Sequence, residues 1–275
     1  MHPRLTASNG RVAHVSLQGK VKARRYCVGE VKEVSWPVAD LLREPDGGLD
    51  CQLLYGQTFR VLEENRETGF SFGQAEMGGY VGYLPCACLR GPTPPTHRIS
   101  SLATHVYRRA DMKSGAVMSL PFMSRVSAKR VDKAFFQITE GFVPAPHLQA
   151  IDTVAPDFVA VFERFCGIPY LWGGNSTRGM DCSGAVQVAL DAAGIPGPRD
   201  ADMQQNMLGK EIPLGDKLRR GDLVFWRGHV GVMQDSKMLI HANATHMAVT
   251  SEPLDEVNRR SQAAGDGSIQ AIRRL

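Results

Sequence analysis

The chain has 275 residues, enough for a sizeable core and for two or three domains. Its hydrophobic content of 43% and charged content of 22% belong to an ordinary folded protein and exclude a disordered or fibrous one. A net charge of only +4, from basic residues scattered in short pairs such as Arg24-Arg25 and Arg219-Arg220, argues against a nucleic-acid partner, and no run of about 18 apolar residues marks a membrane span.

Met1 to Thr6 leads into polar residues without the apolar stretch of a secretory signal, so a cytoplasmic protein is expected. The six cysteines (Cys27, Cys51, Cys86, Cys88, Cys166 and Cys182) form no regular framework. Cys86-Ala87-Cys88 lacks a matching second pair, so neither a structural metal nor a disulfide scaffold is expected, and no cofactor is implied.

Residues 1–29 read as a polar N-terminal extension with one alternating run at 11–17. From 30 to 91 short strands alternate with Gly-rich turns, the strand runs being 29–34, 51–57, 58–64, 70–74 and 80–84, which predicts a small β-barrel or sandwich. Gly91-Pro92-Thr93-Pro94-Pro95-Thr96 is a stiff linker. The strand pattern resumes over 97–146 and predicts a second small β domain.

After Pro144-Ala145-Pro146 the texture changes, and 152–275 reads as an α+β domain. Phe158, Val161, Phe162 and Phe165 share one helical face. A second helix begins at Cys182, with Val186, Ala189, Leu190 and Ala193 on one face, and is stopped by Gly194 and Pro196. Arg219 to Trp226 is a turn into a buried strand.

A thiol at a helix start sits where unpaired N–H groups favour negative charge, which predicts a lowered pKa for Cys182 and a nucleophilic role. A buried structural cysteine is the alternative, and a base elsewhere in the chain decides between them. His229-Val230-Gly231-Val232-Met233 and Met238-Leu239-Ile240-His241-Ala242 flank the turn-forming 234–237, which predicts a hairpin. Centred on Asp235, it sets His229 directly opposite His241 on one sheet face. Thiol, imidazole and second imidazole make a nucleophile, base and orienter. Trp172 either packs beneath the Gly-rich loop or walls a substrate groove.

These motifs, in the order Tyr170-x-Trp172-Gly173-Gly174, Asp181-Cys182-Ser183-Gly184, Pro198-Arg199-Asp200, Arg220-Gly221-Asp222, Gly228-His229-Val230-Gly231 and Ile240-His241-Ala242, resemble the NlpC family of papain-like cysteine peptidases. The N-terminal half resembles the paired bacterial SH3-like domains of its dipeptidyl-peptidase VI subgroup. The resemblance implies two small SH3-like barrels followed by a papain-like α+β domain. It also implies cleavage of the γ-D-glutamyl-L-diamino-acid bond in murein peptides with a free N-terminal L-Ala, in cell-wall peptide recycling. By the same resemblance Cys182 is the nucleophile, His229 the base and His241 the orienter. Asp181 and Ser183 line the D-Glu pocket, Asp200 receives the substrate amine and Tyr80 closes the amine pocket. Gln57 and Ala201 depart from the Glu and Ser of the subgroup at that pocket. A wall-peptide or protein binding module with a degenerate peptidase domain, or an amidase or acyltransferase, are the competing readings.

Overall fold

A computed structural model describes residues 2–275 and divides them into two compact units, one ending at Thr153 and one spanning Val154–Leu275. The first unit is almost entirely β. A seven-stranded antiparallel sheet is built from 30–90, with Phe70–Ala75 between Thr58–Asn65 and Val81–Pro85. Gly-rich turns and β-branched or aromatic residues at alternate positions explain these strands, since one face packs inward.

The extension is not a loose lead-in. Val12–His14 pairs with Arg25–Cys27, and Ala7 and Val12 join Leu62, Phe72 and Tyr83 in one buried cluster. Burying these apolar side chains there removes them from water.

Residues 97–150 form a three-stranded and a five-stranded antiparallel sheet around Ile99, Val106, Leu120, Val126 and Val143. Tyr55, from the preceding segment, is part of this same core, and its carbonyl accepts from the Arg125 N–H at 2.8 Å. The Tyr55 hydroxyl also meets Glu140 and Arg90. The two β segments therefore share one unit. At Gly56 (φ 76°) the backbone approaches so closely that a Cβ would lie 2.0 Å from the Arg125 carbonyl oxygen, so a side chain there would force the segments apart.

The second unit is α+β. Its helices are α1 (Phe158–Glu163), α2 (Cys182–Ala192), α3 (Ala201–Met207) and α4 (Leu254–Ala264). Its six-stranded sheet is numbered β1 (Lys210–Ile212), β2 (Leu223–Trp226), β3 (His229–Met233), β4 (Met238–Asn243), β5 (Ala248–Pro253) and β6 (Ala271–Arg274). The antiparallel order is β1-β6-β2-β3-β4-β5.

Helix α1 starts where the Asp157 side chain accepts from the Val159 N–H, and ends before Phe165. Phe158, Val161, Phe162 and Phe165 are all buried, as their spacing predicts. Helix α2 is more enclosed than a one-faced helix. Every residue except Asp191 is buried, because α2 packs against β3 and β4 on one side and α1 on another. Among the described residues no helix is long and apolar enough to cross a membrane.

Candidate active site

Asp181 occupies the N-cap of α2, in extended backbone with its side chain accepting from the Gly184 N–H at 2.7 Å. That cap fixes the next residue, Cys182, at the first helical position with 7% exposure. The other Asp181 oxygen accepts from the Gly173 N–H at 2.8 Å, which ties the Gly-rich loop to the helix start. Gly184 is required for this docking, since a Cβ there would lie 2.2 Å from the Gly174 carbonyl oxygen.

Arg199 completes the cradle. It is 2% exposed and binds both Asp181 oxygens, at 2.9 and 2.8 Å, and the Ser183 hydroxyl at 2.9 Å. A fork-to-fork pair of this kind offsets the cost of burying two charges. Gln204 on α3 donates to the Ser183 and Pro198 carbonyls at 2.9 and 3.0 Å. Asp181 and Ser183 thus flank Cys182, and their side chains are turned into the protein and bonded there. The cap and the Arg199 pair engage both Asp181 oxygens, and the Ser183 hydroxyl also lies 3.3 Å from Asp181 Oδ1.

Burial pushes the Cys182 thiol up to about 12, reinforced by the Asp181 charge and opposed by a backbone hydrogen bond of Val230, by Arg199 and by a backbone hydrogen bond of Ser183. The lowered pKa expected at a helix start is therefore corrected. Desolvation of the thiolate outweighs the helix-end N–H groups. The bond from Val230 shows that the sulfur faces the start of β3, beside His229.

The hairpin register also differs from the expected one. Val232 pairs with Ile240 and Met233 with Leu239, so the turn is centred on Ser236 and His241 lies level with Gly231. The Asp235 carboxylate accepts from the Lys237 and Met238 N–H groups at 2.7 and 2.8 Å, which lengthens the turn past the expected centre. The slip keeps parity, so both histidines remain on one face, now as diagonal neighbours. Their rings meet with His229 Nε2 2.7 Å from His241 Nδ1. Gly231 has no side chain to intervene, and a Cβ there would lie 2.7 Å from the Leu239 side chain.

The row continues across a third strand. His241 Nε2 is 2.8 Å from Glu252 Oε1 on β5, again diagonally, and Arg260 on α4 binds both Glu252 oxygens at 2.7 and 3.0 Å. The His241 and Arg260 bonds hold the Glu252 carboxyl well below the usual carboxylate range, against its burial. Burial lowers His241 and lowers His229 to about 3.

Proton positions follow. An ionised carboxylate only accepts, so His241 carries its proton on Nε2 and its Nδ1 is a bare acceptor. His229 must then donate from Nε2, which leaves its Nδ1 unprotonated and able to take a proton. Glu252 and Arg260 were not foreseen. They become visible only when β4 and β5 are paired in register.

Trp172 is 70% exposed, which excludes packing beneath the loop. Asp200 stands half-buried at the N-cap of α3 without capping it, followed by the buried Ala201. Tyr80 belongs to the first unit, where it is buried before Val81–Pro85. In the same unit the Gln57 side chain is turned inward, its oxygen accepting from the Leu54 N–H at 2.9 Å. Among the described residues no group of three or more His, Cys, Asp or Glu is arranged to hold a metal ion.

Comparison with known proteins finds relatives in sequence and in fold. Residues 167–264 match the model of the NlpC/P60 family, and 41–89 match that of the bacterial dipeptidyl-peptidase Sh3 domain. The chain is 29% identical over 237 residues to a gamma-D-glutamyl-L-lysine dipeptidyl-peptidase of Bacillus subtilis, covering 77% of this chain and 78% of that one. It is 35% identical over 124 residues to a probable endopeptidase NlpC of Escherichia coli, covering 42% of this chain and 79% of the relative. A solved NlpC/P60 family protein from Bacillus cereus superposes with a TM-score of 0.73 at 19% identity, over 89% of this chain and 99% of that one, a likeness of fold.

Proposed function

The chain belongs to the NlpC/P60 family and is a cysteine peptidase, and from that premise we propose that it cleaves the γ-D-glutamyl-L-diamino-acid bond of peptidoglycan-derived peptides with a free N-terminal L-Ala. The observation that carries this reading is the ordered row His229, His241 and Glu252, together with the buried Cys182 thiol, which the backbone of Val230, the residue after His229, meets. Cleavage of a peptide bond is the activity that the relatives' names share in outline. The Bacillus subtilis relative, similar along 78% of its length, supports the finer substrate.

In this mechanism His229 Nδ1 takes the thiol proton as Sγ attacks the amide carbon. The carbon–nitrogen bond breaks, and His229 returns the proton to the departing amine. Water then hydrolyses the acyl-enzyme by the same route in reverse. Because thiol and imidazole are both neutral at rest, the proton moves with the attack and not before it. The start of α2 offers the Cys182 N–H to the developing oxyanion. His241 holds the ring and tautomer of His229.

Asp200 is the carboxylate we assign to the substrate's free amine, which suits a recycling enzyme acting on released peptides. We also take residues 97–146 as a second SH3-like domain, on the strength of their short antiparallel strands.

Incubation with L-Ala-γ-D-Glu-L-Lys, followed by mass spectrometry, tests the assignment. Release of L-Ala-D-Glu is expected, lost in Cys182→Ala and greatly slowed by N-acetylation of the substrate. Equal rates on free and acetylated peptide would overturn the recycling role while leaving the peptidase.

A further inference from the structure

A cavity of about 270 Å³ opens beside the two histidines, bounded by Trp226, Arg227, His229, His241, Arg260 and Asp266 among others, with Cys182 not part of its wall. Its position relative to the reacting atoms has a chemical meaning. The acyl half of a substrate becomes attached to Cys182, whereas the departing nitrogen must come to the proton that His229 carries. The residue on that nitrogen extends past the imidazole, away from the sulfur.

We propose that this cavity is the subsite for the departing residue and that it selects an amino acid with an amine-bearing side chain and a free α-carboxylate. The proposal rests on the reading of Cys182 as nucleophile and His229 as proton carrier.

Two charged residues of opposite sign, Arg227 and Asp266, line it from tight backbone features. Arg227 lies in the two-residue turn between β2 and β3, where Trp226 pairs with His229 and Gly228 takes φ 70°. Asp266 follows Gly265, the left-handed cap of α4 at φ 84°, and its N–H bonds the Ser261 carbonyl at 3.0 Å. Both side chains are exposed, so each is reachable by a ligand. Arg260 is already bound twice to Glu252 and forms wall, which leaves Arg227 as the cation for the α-carboxylate and Asp266 as the anion for the side-chain amine. Trp226 and Val257 supply apolar surface for the methylene stem between them.

The experiment compares kcat/KM for L-Ala-γ-D-Glu-L-Lys with that for the same peptide ending in L-norleucine, which keeps the chain length and removes the amine. A charge-assisted hydrogen bond at a partly exposed site favours lysine by about tenfold. In Asp266→Asn the ratio falls to near one, and in Asp266→Glu it is largely retained. In Arg227→Gln the enzyme ceases to distinguish a C-terminal carboxylate from its carboxamide. Each ratio is taken within one variant, so a change in the folded fraction does not affect it. Equal rates for the two peptides in the wild type, or an unchanged ratio in Asp266→Asn, would overturn the subsite while leaving the peptidase assignment. Cleavage of neither peptide would overturn the substrate reading and this inference with it.

Discussion

His229 Nε2 lies 2.7 Å from His241 Nδ1, although the two residues are not partners across their hairpin. The contact is diagonal, and its direction is set two strands away, by the Glu252 carboxylate that accepts from His241 Nε2 at 2.8 Å. His229 is therefore the first member of a row of three side chains that crosses three strands of one sheet.

Removing His229, the proposed base, tests the row at its first member. His229→Ala should lower kcat by about 10²–10⁴-fold, the usual contribution of general acid–base catalysis, with a smaller effect on KM. Steady-state kinetics on the tripeptide measures both.

Glu252→Gln tests the far end. Loss of an orienting partner costs roughly 10–100-fold, and here it should fall on kcat. The carboxylate raises the pKa of both histidines, and Arg260, which bonds it, lowers both; His246 Nδ1 lies 3.4 Å from the same carboxylate. Removing the negative charge therefore moves the acid limb of the pH–rate profile to lower pH, with a lower plateau. A merely structural role for Glu252 would lower the plateau and leave the limb in place.

Alkylation of Cys182 by iodoacetamide should be slower than that of free cysteine at pH 7, because burial holds the thiol up at about 12. The rate should rise with pH through the alkaline range. Mass mapping of the modified peptide separates Cys182 from the exposed Cys166.

Stability should fall with acid. Both histidines have folded-state pKa values below the ordinary 6.5, that of His229 at about 3, so between those values the unfolded chain binds more protons than the folded one. Stability therefore rises with pH across this window and is lost as pH drops below 6.5. His229→Gln removes part of the dependence, and thermal melts of both proteins from neutral to acid pH will show a shallower decline in the variant.

Arg199→Ala should destabilise the second unit by about 3–5 kcal/mol, because it strands the Asp181 carboxylate in a buried site. Trp172→Ala, at a largely exposed position, should change stability by no more than about 0.5 kcal/mol while raising KM. Urea titration distinguishes the two.

By itself the sequence determined the local features. The helix opening at Cys182, its stop near Gly194, the apolar face of Phe158 to Phe165 and the strands around His229 and His241 all depend on near neighbours: caps, periodicity and turn residues. It also placed both histidines on one face, since that needs only an even separation across a hairpin. The tertiary structure alone decided what required distant partners or a count of burial. It set the diagonal contact by centring the turn on Ser236, brought Glu252 and Arg260 in from β5 and α4, and gave Asp181 to Arg199. It reversed the sign of the Cys182 shift for the same reason. A helix start acts through the first turn, whereas desolvation sums over every element that closes around the sulfur.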